Sequence, residues 1–336
     1  MAQRKKKSAS NPKRAGLVSL ISAAVLFVLV LLNQAMGGRL PLPSAETLET
    51  SINSALDELY DQAGLSSVPT EAEGDLLVHF IDVGQADCEL IQTPEQNVLI
   101  DAGEIGEGPA IIDYLKAQGV SRLDMVIATH PHADHIGSMA EVIDAFEIGT
   151  VLFSDVPDNL IPTTRTYERL LDAIERKNLK ITLAEPRSRY DLGGGAVMTI
   201  LGPLVEEPEG LNDTSVICRL DFGSTSFLFT GDAEKPNENA LLKAYDSSLL
   251  RADVLKLGHH GSSTSNQEKW VDAVDPRVAV AELGKDNTYG HPHTEVVRLL
   301  EERDILLYRT DLNGTIVFGS NGETLQVTCE RNQRVW

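Results

Sequence analysis

MVIATHPHADHIG, residues 125–137, joins an apolar run to a turn that carries His130, His132, Asp134 and His135 within six positions. Histidine is scarce in this chain, 8 of 336 residues, so three on one turn need a reason. Side chains two apart on an extended chain point the same way, so His130 and His132 can grip one ion. Asp134 and His135 follow the bend and can face a second. Imidazole and carboxylate are the donor types that suit Zn, Mn or Fe. The pattern also predicts a helix from about Ile136, whose positive end favours a nearby anion.

One turn supplies part of a coordination shell, and the rest is expected at the ends of other strands. Three places qualify. SFLFTGDA puts Asp232 directly after an apolar run, where its carboxylate can bridge two cations. ADVLKLGHHGSS puts His259 and His260 after another, and NTYGHPH adds His291 and His293. His79 lies inside the first apolar run and reads as a structural histidine. Cys88, Cys218 and Cys329 are too few and scattered for a disulfide framework, and the first two read as small buried hydrophobes.

The rest of the chain gives these residues a scaffold. Apolar runs at 76–81, 97–101, 125–129, 150–153, 196–201, 215–222, 226–230, 252–257, 278–282, 305–308, 315–319 and 324–328 read as strands. Amphipathic segments at 109–118, 136–146, 164–177, 235–244, 266–274 and 293–303 read as helices. Continuous apolar strands interleaved with helices predict an α/β sheet sandwich with helices outside.

Residues 15–32 carry no charge, and the uncharged stretch continues to Gly38. Eighteen helical residues span about 27 Å, close to a bilayer core. Residues 1–14 carry six basic side chains, so 15–36 reads as a single-pass transmembrane anchor with a cytoplasmic N-terminus and everything later outside. Secretion after signal cleavage is the competing expectation. Residues 37–74 are strongly acidic and read as a stalk, with a helix conceivable over 45–60. The net charge is −21, and the basic tail contributes +6, so the remainder sits near −27. A surface of that sign disfavours broad polyanion binding, and aromatics are only 5% of the chain.

The chain resembles the metallo-β-lactamase-fold hydrolases, and among them the hydrolase domain of ComEC-type competence proteins. The matching pieces are FIDVGQADCELI (80–91), LIDAG (99–103), THPHADHIGS (129–138), LNDTSVICRLDFGSTSFLFTGDA (211–233), LKLGHHGSSTS (255–265) and NTYGHPH (287–293). The resemblance implies a four-layer αββα sandwich over residues 75–330 with two divalent metal ions, Zn or Mn, at one edge. It assigns His130 and His132 to the first ion, Asp134 and His135 to the second, and Asp232 to both. His260, in preference to His259, completes the second site. Asp82, Asp101 and Asp213 become supporting residues near the site. Asn212-Asp213 stands where many relatives carry a ligand histidine, and Ala86 replaces a loop glycine, which puts that loop's shape in doubt.

Asp134, His259 and His291 are the candidate catalytic residues, with the free histidine protonating the leaving group. Asn212, Gly261, Ser262 and Ser263 are candidate substrate contacts through backbone and hydroxyl donors, and N-capping of the 266–274 helix is the other reading of the serines. The expected substrate is a phosphoester, with DNA among the candidates, which makes the enzyme a phosphodiesterase or nuclease. A carbonyl hydrolase (lactone, thioester or lactam) is the alternative, and a non-catalytic metal-bound module the third. No protein partner is inferred.

Overall fold

The computed structural model describes residues 74–331. The expected tail, anchor and most of the stalk lie outside the described residues. Among the described residues, no helix is long and apolar enough to cross a membrane.

The described residues form fifteen strands: β1 (Leu76–Phe80), β2 (Glu89–Gln92), β3 (Asn97–Ile100), β4 (Arg122–Ala128), β5 (Glu147–Phe153), β6 (Ile181–Leu183), β7 (Arg189–Asp191), β8 (Ala196–Gly202), β9 (Ile217–Phe222), β10 (Thr225–Phe229), β11 (Val254–Lys256), β12 (Val278–Ala281), β13 (Leu306–Arg309), β14 (Ile316–Ser320) and β15 (Leu325–Cys329). The helices are α1 (Gly108–Ala117), α2 (Ala133–Ile136), α3 (Met139–Ala145), α4 (Arg165–Arg176), α5 (Lys235–Ala244), α6 (Ser247–Leu250), α7 (Glu268–Val274), α8 (Thr294–Glu301) and α9 (Thr310–Asn313).

One sheet has the order β15-β14-β1-β2-β3-β4-β5-β6, the other β13-β12-β11-β10-β9-β8-β7. Alternation along each strand explains why both stack. In β4, Met125 and Ile127 face the core between the sheets, while Val126 and Ala128 face the helices. In β10, Phe227 and Phe229 face the same central core, and Leu228 faces the other helix layer. Ile111, Leu115, Val142, Ile143 and Leu170 from α1, α3 and α4 cover the first sheet. Leu241, Trp270, Val271 and Leu300 from α5, α7 and α8 cover the second. The layers therefore run helix, sheet, sheet, helix.

Parallel neighbours set where the site lies. β3, β4 and β5 are parallel, as are β10, β11 and β12. The C-terminal ends of β4, β10 and β11 carry the histidine turn, Asp232 and the His259-His260 pair.

Three strands escape the sequence pattern. β2 is four residues between polar ends, β6 is exposed at all three positions, and β7 reads Arg-Tyr-Asp at a sheet edge. Such strands have little apolar alternation to announce them. The helix expected over 136–146 is two helices, because Ser138 breaks the run and its hydroxyl donates to Glu104 O at 2.6 Å. Gly137 lets the 103–107 loop pass there: a Cβ would lie 2.4 Å from Ile105 N.

Phe80 anchors the central core, with its ring 5.9 Å from Phe229 and 5.8 Å from Phe318. Phe80→Ala should lower unfolding free energy by about 3–5 kcal/mol in urea denaturation. A loss below about 1 kcal/mol would contradict this packing.

Candidate metal centre

The histidine turn is held from below by Asp101. This residue directly follows β3 at φ +54, a strained conformation for a non-glycine. Its carboxylate accepts from Thr129 N (2.8 Å) and Thr129 Oγ1 (2.6 Å), and lies 2.7 Å from His135 Nδ1. α2 begins at Ala133 with His132 at its N-cap, three residues before the start read from the sequence. Asp134 and His135 therefore sit in a helical turn, and His135 Nε2 is aimed away from Asp101.

Asp232 enters from the second sheet through Gly231, at φ +49. A Cβ at Gly231 would sit 3.1 Å from Thr129, so glycine permits the two strand ends to meet. Asp232 N donates to Ser215 Oγ at 3.2 Å.

Two groups of donors share this carboxylate. Single donor atoms of Asp134, His135, Asp232 and His260 all lie within 4.8 Å of one another, as do those of His130, His132 and Asp232. Asp232 Oδ1 is 3.3 Å from His135 Nε2 and 3.8 Å from His260 Nε2. Its Oδ2 is 3.9 Å from His130 Nε2 and 3.7 Å from His259 Nε2. Asp134 Oδ2 stands 3.3 Å from His260 Nε2. His135 Nε2 and Asp232 Oδ1 are buried and have no hydrogen-bond partner. Orphaned imidazole nitrogen and carboxylate oxygen, facing each other, are a donor set suited to a divalent cation.

A second ring of residues aims the first. Asp87 is fully buried, 3.2 Å through Oδ1 from His260 Nδ1 and 3.6 Å through Oδ2 from His135 Nδ1. The Lys256 ammonium, equally buried, lies 2.5 Å from Asp87 Oδ2. It also donates to Gly231 O and Leu257 O, both at 3.3 Å. His260 Nδ1 is 2.8 Å from Glu282 O. The Glu282 side chain accepts from Cys88 N at 3.1 Å. Burial and the Asp87 charge push the Glu282 carboxyl up to about 8, so it holds its proton at neutral pH. Burial alone would raise Asp87, but Lys256, His260 and His135 hold it below the usual carboxylate range.

The sequence reading missed Asp87, Lys256, Glu282 and Glu234. A signal existed for three of them. Asp87 lies in GQADC, Lys256 interrupts VLKL, and Glu282 closes VAVAE, so each places a charge within or beside an apolar run. A charge there is buried and must be paired.

Other expected site residues fall in different places. Asp82, expected as a supporting residue, pairs its carboxylate with Arg331 Nη2 (2.8 Å) and accepts Gly84 N–H (3.3 Å), tying its loop to the end of the domain. The loop tolerates Ala86 because Gly84 takes the positive φ of +77. Asp213 accepts Glu209 N–H at 3.0 Å and its carbonyl accepts from Asn237, so it braces the 211–214 turn. Asn212 does reach the site edge, with Nδ2 3.3 Å from Glu234 Oε1.

The Gly261–Ser263 donors are mostly engaged within the protein. Ser262 N donates to His259 O, Ser263 N to His293 Nδ1, and the Ser262 hydroxyl is 3.0 Å from Thr264 Oγ1. N-capping by these serines also fails, since Gln267 occupies the N-cap of α7. His293 thus braces this loop rather than facing substrate. His79 is structural, with Nδ1 2.8 Å from Tyr114 Oη. His291 is buried with an unpartnered Nδ1, and its ring stacks between Tyr289 (5.5 Å) and His260 (6.1 Å). Burial, with His260 and His259 nearby, pushes its pKa down to about 4, so the ring is neutral at pH 7.

A profile of the metallo-beta-lactamase superfamily matches residues 81–284. ComE operon protein 3 of Bacillus subtilis is 30% identical over 260 residues, covering 72% of this chain and 32% of that protein. Competence protein ComA of Neisseria gonorrhoeae is 32% identical over 260 residues, covering 76% and 34%. The chain thus spans about a third of the length of these two relatives. Among solved structures, the metallo-beta-lactamase fold protein YhfI of Bacillus subtilis aligns with a TM-score of 0.45 at 14% identity, over 76% of this chain and 100% of that one.

Lys256→Met would leave the buried Asp87 charge facing only the His260 and His135 imidazoles, so it should destabilise the fold by about 3–5 kcal/mol in urea unfolding. Adding Asp87→Asn should recover part of that loss. Additive losses in the double variant would show that the two groups do not interact.

Proposed function

Because the chain belongs to the metallo-β-lactamase superfamily, we propose that this cluster is a binuclear divalent-metal centre that hydrolyses phosphodiesters, with nuclease activity as one form of that chemistry. The observation that carries this reading is Asp232, whose two oxygens each face a separate set of imidazoles. Bound ions, Zn or Mn, would supply a water acidified toward neutral pH and neutralise charge on phosphoryl oxygens.

The chain's own residues do the rest. His130, His132, Asp134, His135 and His260 orient the centre, and Asp101 and Asp87 fix the ring faces of His135 and His260. Asp134 is half-exposed at the mouth, placed to accept a proton from an attacking water. His291, neutral and with its ring 5.6 Å from His259 and 6.1 Å from His260, borders the centre where the leaving oxygen would need a hydrogen bond. Tyr289, 66% exposed and stacked on His291, offers an aromatic surface to the leaving side of the substrate.

The acidic remainder of the chain favours a small phosphodiester, or a DNA strand engaged only at the centre, over broad polynucleotide binding. The uncharged run at 15–38 behind its basic tail supports anchorage in the cell membrane with this domain outside. Hydrolysis of a carbonyl substrate is the second reading, since the same centre can polarise a carbonyl.

Full-length protein in detergent, loaded with Mn²⁺ or Zn²⁺, should cleave bis-p-nitrophenyl phosphate, and chelation should abolish turnover. His132→Ala should lower kcat/KM by about two orders of magnitude with its melting temperature retained. Turnover of nitrocefin but of neither the phosphodiester nor single-stranded DNA would move the assignment to the carbonyl reading. Tyr289→Ala should raise KM for an aryl phosphodiester several-fold and leave kcat within about twofold. An unchanged KM would remove Tyr289 from the substrate surface.

A further inference from the structure

The two adjacent histidines after β11 do different things, and His259 is the less obvious. Both take left-handed backbone conformations, at φ +51 and +55, which non-glycine residues rarely adopt even once. The result is that neighbouring rings reach opposite oxygens of one carboxylate. His260 Nε2 approaches Asp232 Oδ1, and His259 Nε2 approaches Asp232 Oδ2, on the side of His130.

The hydrogen bonds of the His259 ring fall on its other nitrogen. Nδ1 is 3.0 Å from Glu234 Oε1 and 3.2 Å from Thr264 Oγ1. Glu234 is itself braced by Thr264 Oγ1 at 2.9 Å and Asn212 Nδ2 at 3.3 Å. A carboxylate on Nδ1 holds the proton there and leaves the Nε2 lone pair facing Asp232. That is the arrangement by which an outer carboxylate orients a metal-binding imidazole. The His130 side otherwise has two imidazoles and a shared carboxylate oxygen, fewer protein donors than the Asp134–His135–His260 side.

We propose that His259, oriented by Glu234, is a metal ligand on the His130–His132 side, and that the His259-His260 pair divides one ligand to each ion. This rests on the binuclear reading above. It leaves His291 as the histidine facing the leaving group.

The test is Co²⁺ uptake by the full-length protein, read by equilibrium dialysis with metal quantification and by visible absorption. Wild type should take up two ions. His259→Ala and the size-preserving His259→Gln should weaken one ion by roughly tenfold or more and keep the other, with the metal-free melting temperature unchanged. Glu234→Gln should weaken the same ion to a smaller extent. His260→Ala should weaken the other ion. Two ions at wild-type affinity and absorption in both His259 variants would overturn the proposal, as would equal weakening of both ions. A wild-type protein that takes up fewer than two ions would instead overturn the binuclear reading, and this proposal with it.

Discussion

The buried contact between Lys256 and Asp87 is the constraint on which the site depends. Neither side chain has measurable exposure. An isolated charge at that depth would be costly, so each requires the other. The ammonium also holds the carbonyls of Gly231 and Leu257, the residues that precede Asp232 and the Gly258-His259-His260 turn. Asp87 in turn reaches the rear nitrogens of His260 and His135. One cation therefore fixes the ends of β10 and β11 and the loop between β1 and β2 relative to the histidine turn. The surrounding carboxyls support this balance, because Glu282 keeps its proton beside the pair.

With those strand ends fixed, Asp232 becomes the dividing line of the site. Gly231 allows its backbone to approach Thr129, and Ser215 Oγ holds its amide. Its carboxylate then has one oxygen toward each group of imidazoles. The histidine turn, Asp232 and the His259-His260 pair come from two sheets, and each sheet contributes donors to both groups. A hydrophobic core between the sheets, built on Phe80, Phe229 and Phe318, is what keeps those contributions in register.

Legibility in the sequence followed locality. His130, His132, Asp134 and His135 are close in the chain, and their pattern stood out before any fold was known. Most strands were visible because both faces are buried, so their apolar runs are continuous. β2, β6 and β7 were not, because short or exposed edge strands carry no such run. Ser262 and Ser263 looked like free donors because sequence shows a hydroxyl but not its partner; His293 and Thr264 are those partners. Asp82 looked equivalent to Asp101, yet the fold turns one toward Arg331 and the other toward His135.

By itself, the sequence determined the donor chemistry and the layered α/β scaffold, since residue type and apolar periodicity are local properties. The tertiary structure decided which oxygen of Asp232 faces which imidazole, which carboxylate stands behind each ring, and how His259 and His260 part company. Those choices depend on side-chain direction and on contacts between separate elements, from Glu234 with His259 to Asp87 with His260 across the chain. No spacing rule carries that information, because it arises only when the ends of strands from two sheets are packed together around a buried ion pair.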